Sequence, residues 1–394
     1  MKHFLYLFLF ISLTVKAQLP IENKVRLINN WEFLQSDLGN IWEAIRPVKQ
    51  GEAEAVPIWE KVSLPHCFNF EDAVNPTVNY YQGPGWYRTN LSIANPYRNG
   101  RTLLHFEGAG QKTQVYIFNE KVGEHIGGYD EWMVDITNAI NKFQSNPLFK
   151  GRFKNKIPLS IRCDNSRDTE MIPSSLSDFT LYGGLYRYVN LVYVPALSLK
   201  NLYAKAELDI KNQKGTLSIS TEFYNPINQN EAEFLIQIIS PNNKTITEKK
   251  IKVTNLSDIV NLFSFSIKRP QLWSPDKPNL YTCKISLISS ETSITYIQKV
   301  GFRQFEFAEN GPFYLNGQRL LLKGTHRHED HAGVGASMTE ELMRKEMILI
   351  KEMGANFIRL GHYQQSDIIL NLCDSLGILV WEEIPWCRGG LGGE

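Results

Sequence analysis

The sequence Phe357-Ile358-Arg359-Leu360 is a short apolar run, and Ile378-Leu379-Val380-Trp381 is a second one further along the chain. A third run, Leu320-Leu321-Leu322, precedes both. Amphipathic helical patterns separate the three runs, and strands that alternate with helices are typical of a parallel sheet with crossover connections. We therefore predict a β-α-β-α-β order within residues 306–394, the start of a (β/α)8 TIM barrel.

Both predicted helices carry start and stop signals. Ser337 and Glu340 have the spacing of a capping box before the first helix, and Gly354 is placed to end it in a left-handed cap. The second helix is predicted from about Ser366 to Gly377. A complete barrel has eight strands, and the segment from residue 316 to 394 has room for about three. We expect the chain to be the N-terminal part of a longer protein, truncated within its barrel.

Residues 18–305 read as β-structure in two domains, 18–198 and 199–305. Short apolar runs alternate with Gly, Asn and Pro turn signals, which is typical of β-sandwiches. The runs that carry this prediction are Thr102–Phe106, Gln114–Phe118 and Tyr188–Tyr193 in the first domain, and Gly215–Ser220 and Tyr281–Leu287 in the second. The second domain has the size of an immunoglobulin-like sandwich.

The N-terminus has the pattern of a signal peptide over residues 1–17. Met1-Lys2-His3 is basic, Phe4–Val15 is almost wholly apolar, and Ala17 is a small residue at the predicted cleavage point. The apolar run is shorter than the about 20 residues of a membrane span, and no Cys follows the cleavage point. We expect a secreted or periplasmic protein. A buried N-terminal helix is the alternative.

Composition excludes some classes of function. The 42 Lys+Arg and 41 Asp+Glu residues nearly balance, which argues against an electrostatic nucleic-acid binder. The five cysteines are far apart and include no CxxC pair, so we expect separate buried thiols and not a disulfide framework or zinc site. They are Cys67, Cys163, Cys283, Cys373 and Cys387.

Titratable side chains follow each of the three predicted barrel strands. His326-Arg327-His328 comes after the first, Arg359 to Tyr363 spans the end of the second, and Glu382-Glu383 follows the third. Because active sites of such barrels lie at the C-terminal ends of the strands, we expect one convergent cluster. Three interpretations are open: a polyol-binding pocket, which we favour, a metal site that uses His326 and His328, and solvated loop charges.

Several of these segments resemble glycoside hydrolase family 2, which contains β-galactosidases, β-glucuronidases and β-mannosidases. The resemblance covers the whole chain after residue 17. The segments that carry it are Trp59–His66, Gly85–Arg88, Gly127–Tyr129, Tyr182–Arg187, Leu272–Tyr281, Gly301–Arg303, Phe313–Gly317, Asn356–Tyr363 and Cys373–Trp381. The resemblance implies a jelly-roll domain, an immunoglobulin-like domain and a TIM barrel, in that order.

The resemblance also implies roles for four residues. His328 and His362 would bind sugar hydroxyls, and Arg359 would support the nucleophilic carboxylate. Asp178 would reach from the jelly-roll to the terminal sugar; an ordinary loop aspartate is the alternative. Gln364 stands where many members of the family have Pro, and His-Tyr-Gln favours β-galactosidase.

The resemblance places the catalytic carboxylates outside this chain. The acid/base of the family is the Glu of an Asn-Glu pair after strand four, and the nucleophile is a Glu after strand seven. Retaining hydrolysis needs the two carboxylates about 5 to 5.5 Å apart on either side of the scissile bond, whereas Glu382 and Glu383 share one strand end. We expect an exported retaining exo-β-glycosidase, most specifically a β-galactosidase, whose first 394 residues are inactive alone.

The alternatives are a β-glucuronidase, a β-mannosidase or a non-catalytic carbohydrate-binding protein. The expected partner is an oligo- or polysaccharide with a terminal β-linked sugar, and an oligomer is possible. No cofactor is evident. A divalent cation occurs in part of the family, but Ile384-Pro385-Trp386 supplies no ligand set.

Overall fold

The computed structural model describes residues 23–46, 57–72, 74–78, 80–174, 176–256, 259–288 and 293–386. The predicted signal peptide (1–17) and Cys387 lie outside these residues. The chain divides into two compact units, one that contains residues 196–320 and one that combines residues 22–195 with 321–394. Within the described ranges, no helix is long and apolar enough to cross a membrane.

Residues 23–195 are mostly β-structure. The strands are β1 (Lys24–Arg26), β2 (Trp31–Leu34), β3 (Glu60–Val62), β4 (Pro84–Leu91), β5 (Arg101–Phe106), β6 (Lys112–Ile117), β7 (Glu120–Ile126), β8 (Trp132–Asp135), β9 (Ile157–Asp164) and β10 (Val189–Val194). The helices are α1 (Ile41–Ile45), α2 (Thr137–Gln144) and α3 (Pro147–Arg152). The strand predictions around Thr102, Gln114 and Tyr188 are confirmed to within two residues.

These strands form two antiparallel sheets, in the orders β1-β10-β5-β8 and β3-β2-β4-β9-β6-β7. Leu159 and Ile161 of β9 lie in one buried cluster with Leu104 of β5 and Leu191 of β10, from the other sheet. Because alternate side chains of a strand point to opposite faces, each sheet turns one face to this shared core. The jelly-roll topology and the predicted boundary at residue 198 stay predictions.

The unit of residues 196–320 is also built from strands. They are β11 (Ser198–Asp209), β12 (Lys214–Tyr224), β13 (Glu231–Ile239), β14 (Thr245–Thr254), β15 (Val260–Lys268), β16 (Trp273–Ser274), β17 (Lys277–Pro278), β18 (Tyr281–Ile288), β19 (Ser293–Val300), β20 (Phe305–Phe307), β21 (Phe313–Leu315) and β22 (Gln318–Arg319). The two larger sheets have the orders β11-β12-β15 and β14-β13-β18-β19. Paired residues such as Ile236 and Ile285 are fully buried, which gives this unit its own core.

Residues 321–386 contain the predicted parallel sheet. Its strands β23 (Gly324–Arg327), β24 (Phe357–Leu360) and β25 (Leu379–Glu382) alternate with α4 (Glu340–Glu352) and α5 (Asp367–Leu376), and both strand pairings are parallel. Ser366 caps α5 through its side chain, and Gly377 ends it with φ 72°. Met343 and Met347 of α4 pack with Ile358 of β24 in a buried core.

Two local predictions are wrong. Leu320–Leu322 is not a strand: Leu321 is 67% exposed, and the residues that pair with Phe357–Leu360 are Gly324–Arg327. The cap of α4 is Thr339, whose side chain accepts a hydrogen bond from the amide of Leu342, while the hydroxyl of Ser337 donates to the carbonyl of Val334. A hydroxyl occupied in that turn is not free to cap the helix. The helix nevertheless ends before Gly354, which has φ +89°.

The thiol prediction is confirmed for the four cysteines that the structure describes. These are free and buried: Cys67, Cys163, Cys283 and Cys373.

Candidate active site

The candidate site begins where the three parallel strands end. Arg327 of β23 pairs with Leu360 of β24, and Leu360 pairs with Glu382 of β25. The residues just beyond this row, His328, His362 and Glu383, therefore leave the sheet at one edge. The expected convergence is present in the structure.

Arg359, His362 and Glu383 form one hydrogen-bonded cluster. Arg359 places Nε and Nη2 both 2.6 Å from Oε1 of Glu383, and Nδ1 of His362 lies 2.8 Å from Oε2 of the same carboxylate. An ionised carboxylate only accepts hydrogen bonds, so the contact with Glu383 is a hydrogen bond in the tautomer that carries the proton on Nδ1. Nη2 of Arg359 also lies 3.2 Å from this nitrogen. Arg359 thus orients a carboxylate of this chain, and its predicted role toward a nucleophile stays a prediction.

His328 lies beside this cluster. Its ring centroid is 5.1 Å from that of His362 and 5.7 Å from that of Phe179. Burial, together with the nearby His362 and His326, lowers the pKa of His328. A neutral imidazole has one donor and one acceptor nitrogen, which suits it to bind a hydroxyl group.

Asp178 precedes Phe179, whose ring lies against the strand-end cluster, and the predicted contact of Asp178 with the sugar stays a prediction. The Phe179 ring lies 5.8 Å from the ring of His362 and 5.4 Å from that of Tyr363, so the loop that carries Asp178 meets the strand ends. The loop is held at the carbonyl of Leu181, which accepts hydrogen bonds from Asn69 (3.4 Å), Asn165 (3.1 Å) and the hydroxyl of Tyr80. Asp178 itself lines a cavity of about 490 Å³ with Tyr80 and Gln82.

A buried ion pair joins residues 23–195 to the C-terminal ends of the parallel strands β23–β25. Sequence reasoning missed this pair. Arg187 donates to Glu329, and Nη2 of Arg187 also lies 2.7 Å from the carbonyl oxygen of Gln364. It thereby contacts the loop after β23 and the loop after β24 together. Tyr129 adds a second link, because its ring stacks on Tyr363 with centroids 3.8 Å apart. Arg187 and Tyr129 both lie in segments that carry the family resemblance. The sequence therefore marked both positions but did not indicate their partners.

The described residues provide little for a metal ion. No group of three or more His, Cys, Asp or Glu side chains within them has the arrangement of a metal site. The rings of His326 and His328 have centroids 6.0 Å apart, and Glu383 is engaged by Arg359 and His362. The cluster is suited to hold and orient hydroxyl groups.

Comparison with known proteins identifies the class. The family model "Glycosyl hydrolases family 2" matches residues 197–303, and the model of that family's TIM barrel domain matches residues 307–391. The architecture is a multidomain, mostly β chain with part of a TIM-barrel domain. The chain belongs to glycoside hydrolase family 2.

Solved structures of β-glucuronidases are similar to most of this chain. The enzyme of Parabacteroides merdae, with glycerol in its active site, is 56% identical, with a TM-score of 0.92 over 96% of this chain and 48% of that one. β-Glucuronidase 3 of Bacteroides uniformis is 59% identical, with a TM-score of 0.89 over 96% of this chain and 47% of that one. The chain thus spans about half the length of these relatives.

A β-galactosidase is less similar. That of Thermoanaerobacter pseudethanolicus is 31% identical over 362 residues, which is 90% of this chain and 46% of the relative. The expected β-galactosidase specificity is therefore not favoured. That expectation rested on Gln364. Its backbone carbonyl accepts a hydrogen bond from Arg187, and a backbone contact does not depend on the identity of the side chain.

Proposed function

We propose that this chain is the N-terminal part of a retaining exo-β-glycosidase that hydrolyses terminal β-linked glucuronides. The observation that carries the proposal is the 56% identity to the Parabacteroides merdae β-glucuronidase across 96% of this chain. The strand-end cluster of His328, His362 and Arg359 supports it, because it groups hydroxyl-binding side chains at the edge where barrel enzymes bind substrate. Export through residues 1–17, and jelly-roll and immunoglobulin-like topologies for the first two domains, are part of the proposal.

In the proposed reaction, this chain binds and orients the terminal sugar. His328 and His362 bond its hydroxyl groups, and Asp178 reaches the sugar from the loop that Phe179 anchors. Arg359 fixes Glu383 beside them with two guanidinium nitrogens. One carboxylic acid, supplied by the remainder of the barrel, protonates the glycosidic oxygen. A second carboxylate attacks the anomeric carbon, and water then releases the sugar from that glycosyl-enzyme.

The test is a substrate panel on the full-length product of the gene. Its p-nitrophenyl β-D-glucuronide, β-D-galactoside and β-D-mannoside activities are compared as kcat/KM under identical conditions. We expect the glucuronide to exceed the other two by at least about 100-fold, since a site built for a carboxylate leaves its buried polar groups unpaired with neutral sugars. Preference for the galactoside would restore β-galactosidase as the assignment, and binding without turnover of any of the three would indicate a carbohydrate-binding protein.

A further inference from the structure

A cavity of about 670 Å³ lies on the six-stranded sheet, apart from the strand-end cluster. We call it the outer cavity, and its lining includes Glu32, Ala44, Lys61, Arg88, Asn90 and Ser160. Leu159 and Ile161 face the shared core, so Ser160 between them faces the opposite side of the sheet.

The outer cavity is remote from the candidate active site. β4 and β9 pair from Pro84–Asp164 at one end to Asn90–Pro158 towards the other. Asn165, next to Asp164, binds the loop of Asp178 through Leu181, whereas Asn90 and Pro158 line the outer cavity. Along β4, Pro84 lies about 13 Å from Arg88 and about 20 Å from Asn90, and both of these residues line the cavity.

A row of polar side chains crosses the floor of the outer cavity. In the strand register, Lys61 pairs with Glu32, Glu32 with Arg88, and Arg88 with Ser160. Arg88 is fixed from three sides: Nε lies 2.6 Å from Oε2 of Glu32, Nη1 lies 3.0 Å from the carbonyl oxygen of Ala44, and the guanidinium lies 4.1 Å from the ring centre of Trp59. Arg88 and Glu32 are therefore held in place before any ligand binds.

Two buried polar groups beside this row lack partners. Ser160 is 1% exposed, and its Oγ has no hydrogen-bond partner within the described ranges. Trp59, which stacks on Arg88, is half-buried; its Nε1 atom is buried and has no hydrogen-bond partner in the part of the chain that the structure describes. Buried polar groups are nearly always hydrogen-bonded in folded proteins, so an unpartnered hydroxyl in a cavity wall points to a ligand.

The chemistry of the wall defines the ligand. Of the four charged side chains that line the cavity, three are cationic (Arg46, Lys61 and Arg88), and the carboxylate of Glu32 is engaged by Arg88. The side chains of Asn90 and Ser160 both donate and accept hydrogen bonds, as sugar hydroxyls require. The volume is within the range of small-ligand sites.

We propose that the outer cavity is a non-catalytic binding site for an acidic sugar unit of an oligosaccharide. The carboxylate of the sugar pairs with Lys61, and its hydroxyls bond Ser160 and Asn90. The inference does not depend on the proposed hydrolysis, because the outer cavity shares no lining residue with the strand-end cluster.

The test is isothermal titration of the 394-residue chain with cellobiouronic acid and with cellobiose, which differ only in the C6 carboxylate. We expect the acid to bind at least about tenfold more tightly, and Lys61→Ala to remove about tenfold of its affinity. Ser160→Ala is expected to weaken binding severalfold without lowering Tm, because the hydroxyl has no hydrogen-bond partner among the residues that the structure describes. Lys299→Ala, on an exposed strand position of the other unit, is the matched control and leaves binding unchanged.

Five results would overturn the proposal, and four of them concern the affinity itself. They are absence of binding, equal affinity for the acid and cellobiose, affinity unchanged by both Lys61→Ala and Ser160→Ala, and sodium acetate binding as tightly as the disaccharide acid. Binding that is lost in His362→Ala but kept in Lys61→Ala would also overturn it, because it would place the disaccharide at the strand ends.

Discussion

Arg187 and Glu329 form an ion pair with N···O 2.5 Å in which each side chain is only 2% exposed. Burial alone would lower the pKa of Arg187, but the charge and hydrogen bond of Glu329 outweigh it and raise the pKa above its ordinary value. The pair connects the segment before β10 with the loop after β23. Because His328 precedes Glu329, the pair fixes the position of His328 relative to residues 23–195.

Removing Arg187 is expected to destabilise the unit strongly. Arg187→Met leaves Glu329 as an uncompensated buried charge, which costs about 3–5 kcal/mol. Urea unfolding of the 394-residue chain measures the change. Lys142→Met is the control, because it breaks an exposed ion pair with Glu120 and should cost less than about 1 kcal/mol. Equal losses in the two variants would contradict a structural role for the buried pair.

The stability of the chain should depend on Asp367 near neutral pH. Burial, followed by the charges of Glu131 and Glu107, raises the pKa of Asp367 to about 7. A raised carboxyl pKa contributes stability below the unfolded pKa of about 4, and this contribution is lost as the pH rises through 7. We expect Asp367→Asn to stabilise the chain by about 2 kcal/mol more at pH 8 than at pH 5.

Thermal unfolding at the two pH values measures this difference, and Asp276→Asn, at an exposed position, is the control. Glu131 acts in the opposite direction. Burial alone would raise the pKa of Glu131, but the hydrogen bond with His105 lowers it below its ordinary value. The stability that Glu131 contributes is therefore lost as the pH falls. A gain for Asp367→Asn that is the same at pH 5 and pH 8 would show that Asp367 is ionised across that range.

Arg359→Lys should lower activity of the full-length protein. A lysine ammonium cannot reproduce the two nitrogens that Arg359 places 2.6 Å from Glu383. A displaced Glu383 also releases His362, and misplacement of about 1 Å costs about 10²-fold in rate. The measurement is kcat/KM with an aryl β-glucuronide. Arg319→Lys, at an exposed position, should retain full activity; equal losses would contradict the assignment.

Asp178→Ala should raise KM in the full-length protein. Loss of one hydrogen bond from a sugar hydroxyl to the Asp178 carboxylate weakens binding by about tenfold. The variant is compared with Asp276→Ala by steady-state kinetics. If Asp178→Ala has the KM of the wild type, Asp178 is an ordinary loop residue and not a sugar ligand.

The 394-residue chain alone should not hydrolyse aryl β-glycosides. Glu382 ends β25 and Glu383 follows it, and Glu383 is held by Arg359 and His362. The two carboxylates therefore cannot flank a glycosidic bond from opposite sides. Chain purified free of host glycosidases is assayed with the three p-nitrophenyl glycosides. Turnover that copurifies with the chain and disappears in Glu383→Gln would show that it contains a working carboxylate.

The sequence predicted elements well where local signals are strong. Ser366 and Gly377 delimit α5 as expected, since a cap and a left-handed glycine act within one turn of the helix. The first barrel strand was misplaced at Leu320–Leu322, because a short apolar run does not by itself show which residues pair with the neighbouring strand. Pairing with Phe357–Leu360 selects Gly324–Arg327, and that pairing is a long-range contact.

The sequence by itself determined the alternation of strands and helices, the placement of His328, Arg359 and His362 at strand ends, and the family. These follow from short-range periodicity and from motifs that are read residue by residue. Only the tertiary structure decided which partners those residues have, such as Glu383 for Arg359 and Phe179 for His328. It also revealed the pair of Arg187 with Glu329. Such pairs join segments from different parts of the chain. The Arg187–Glu329 pair is also buried, and its geometry is fixed because an unpaired charge in the interior is costly.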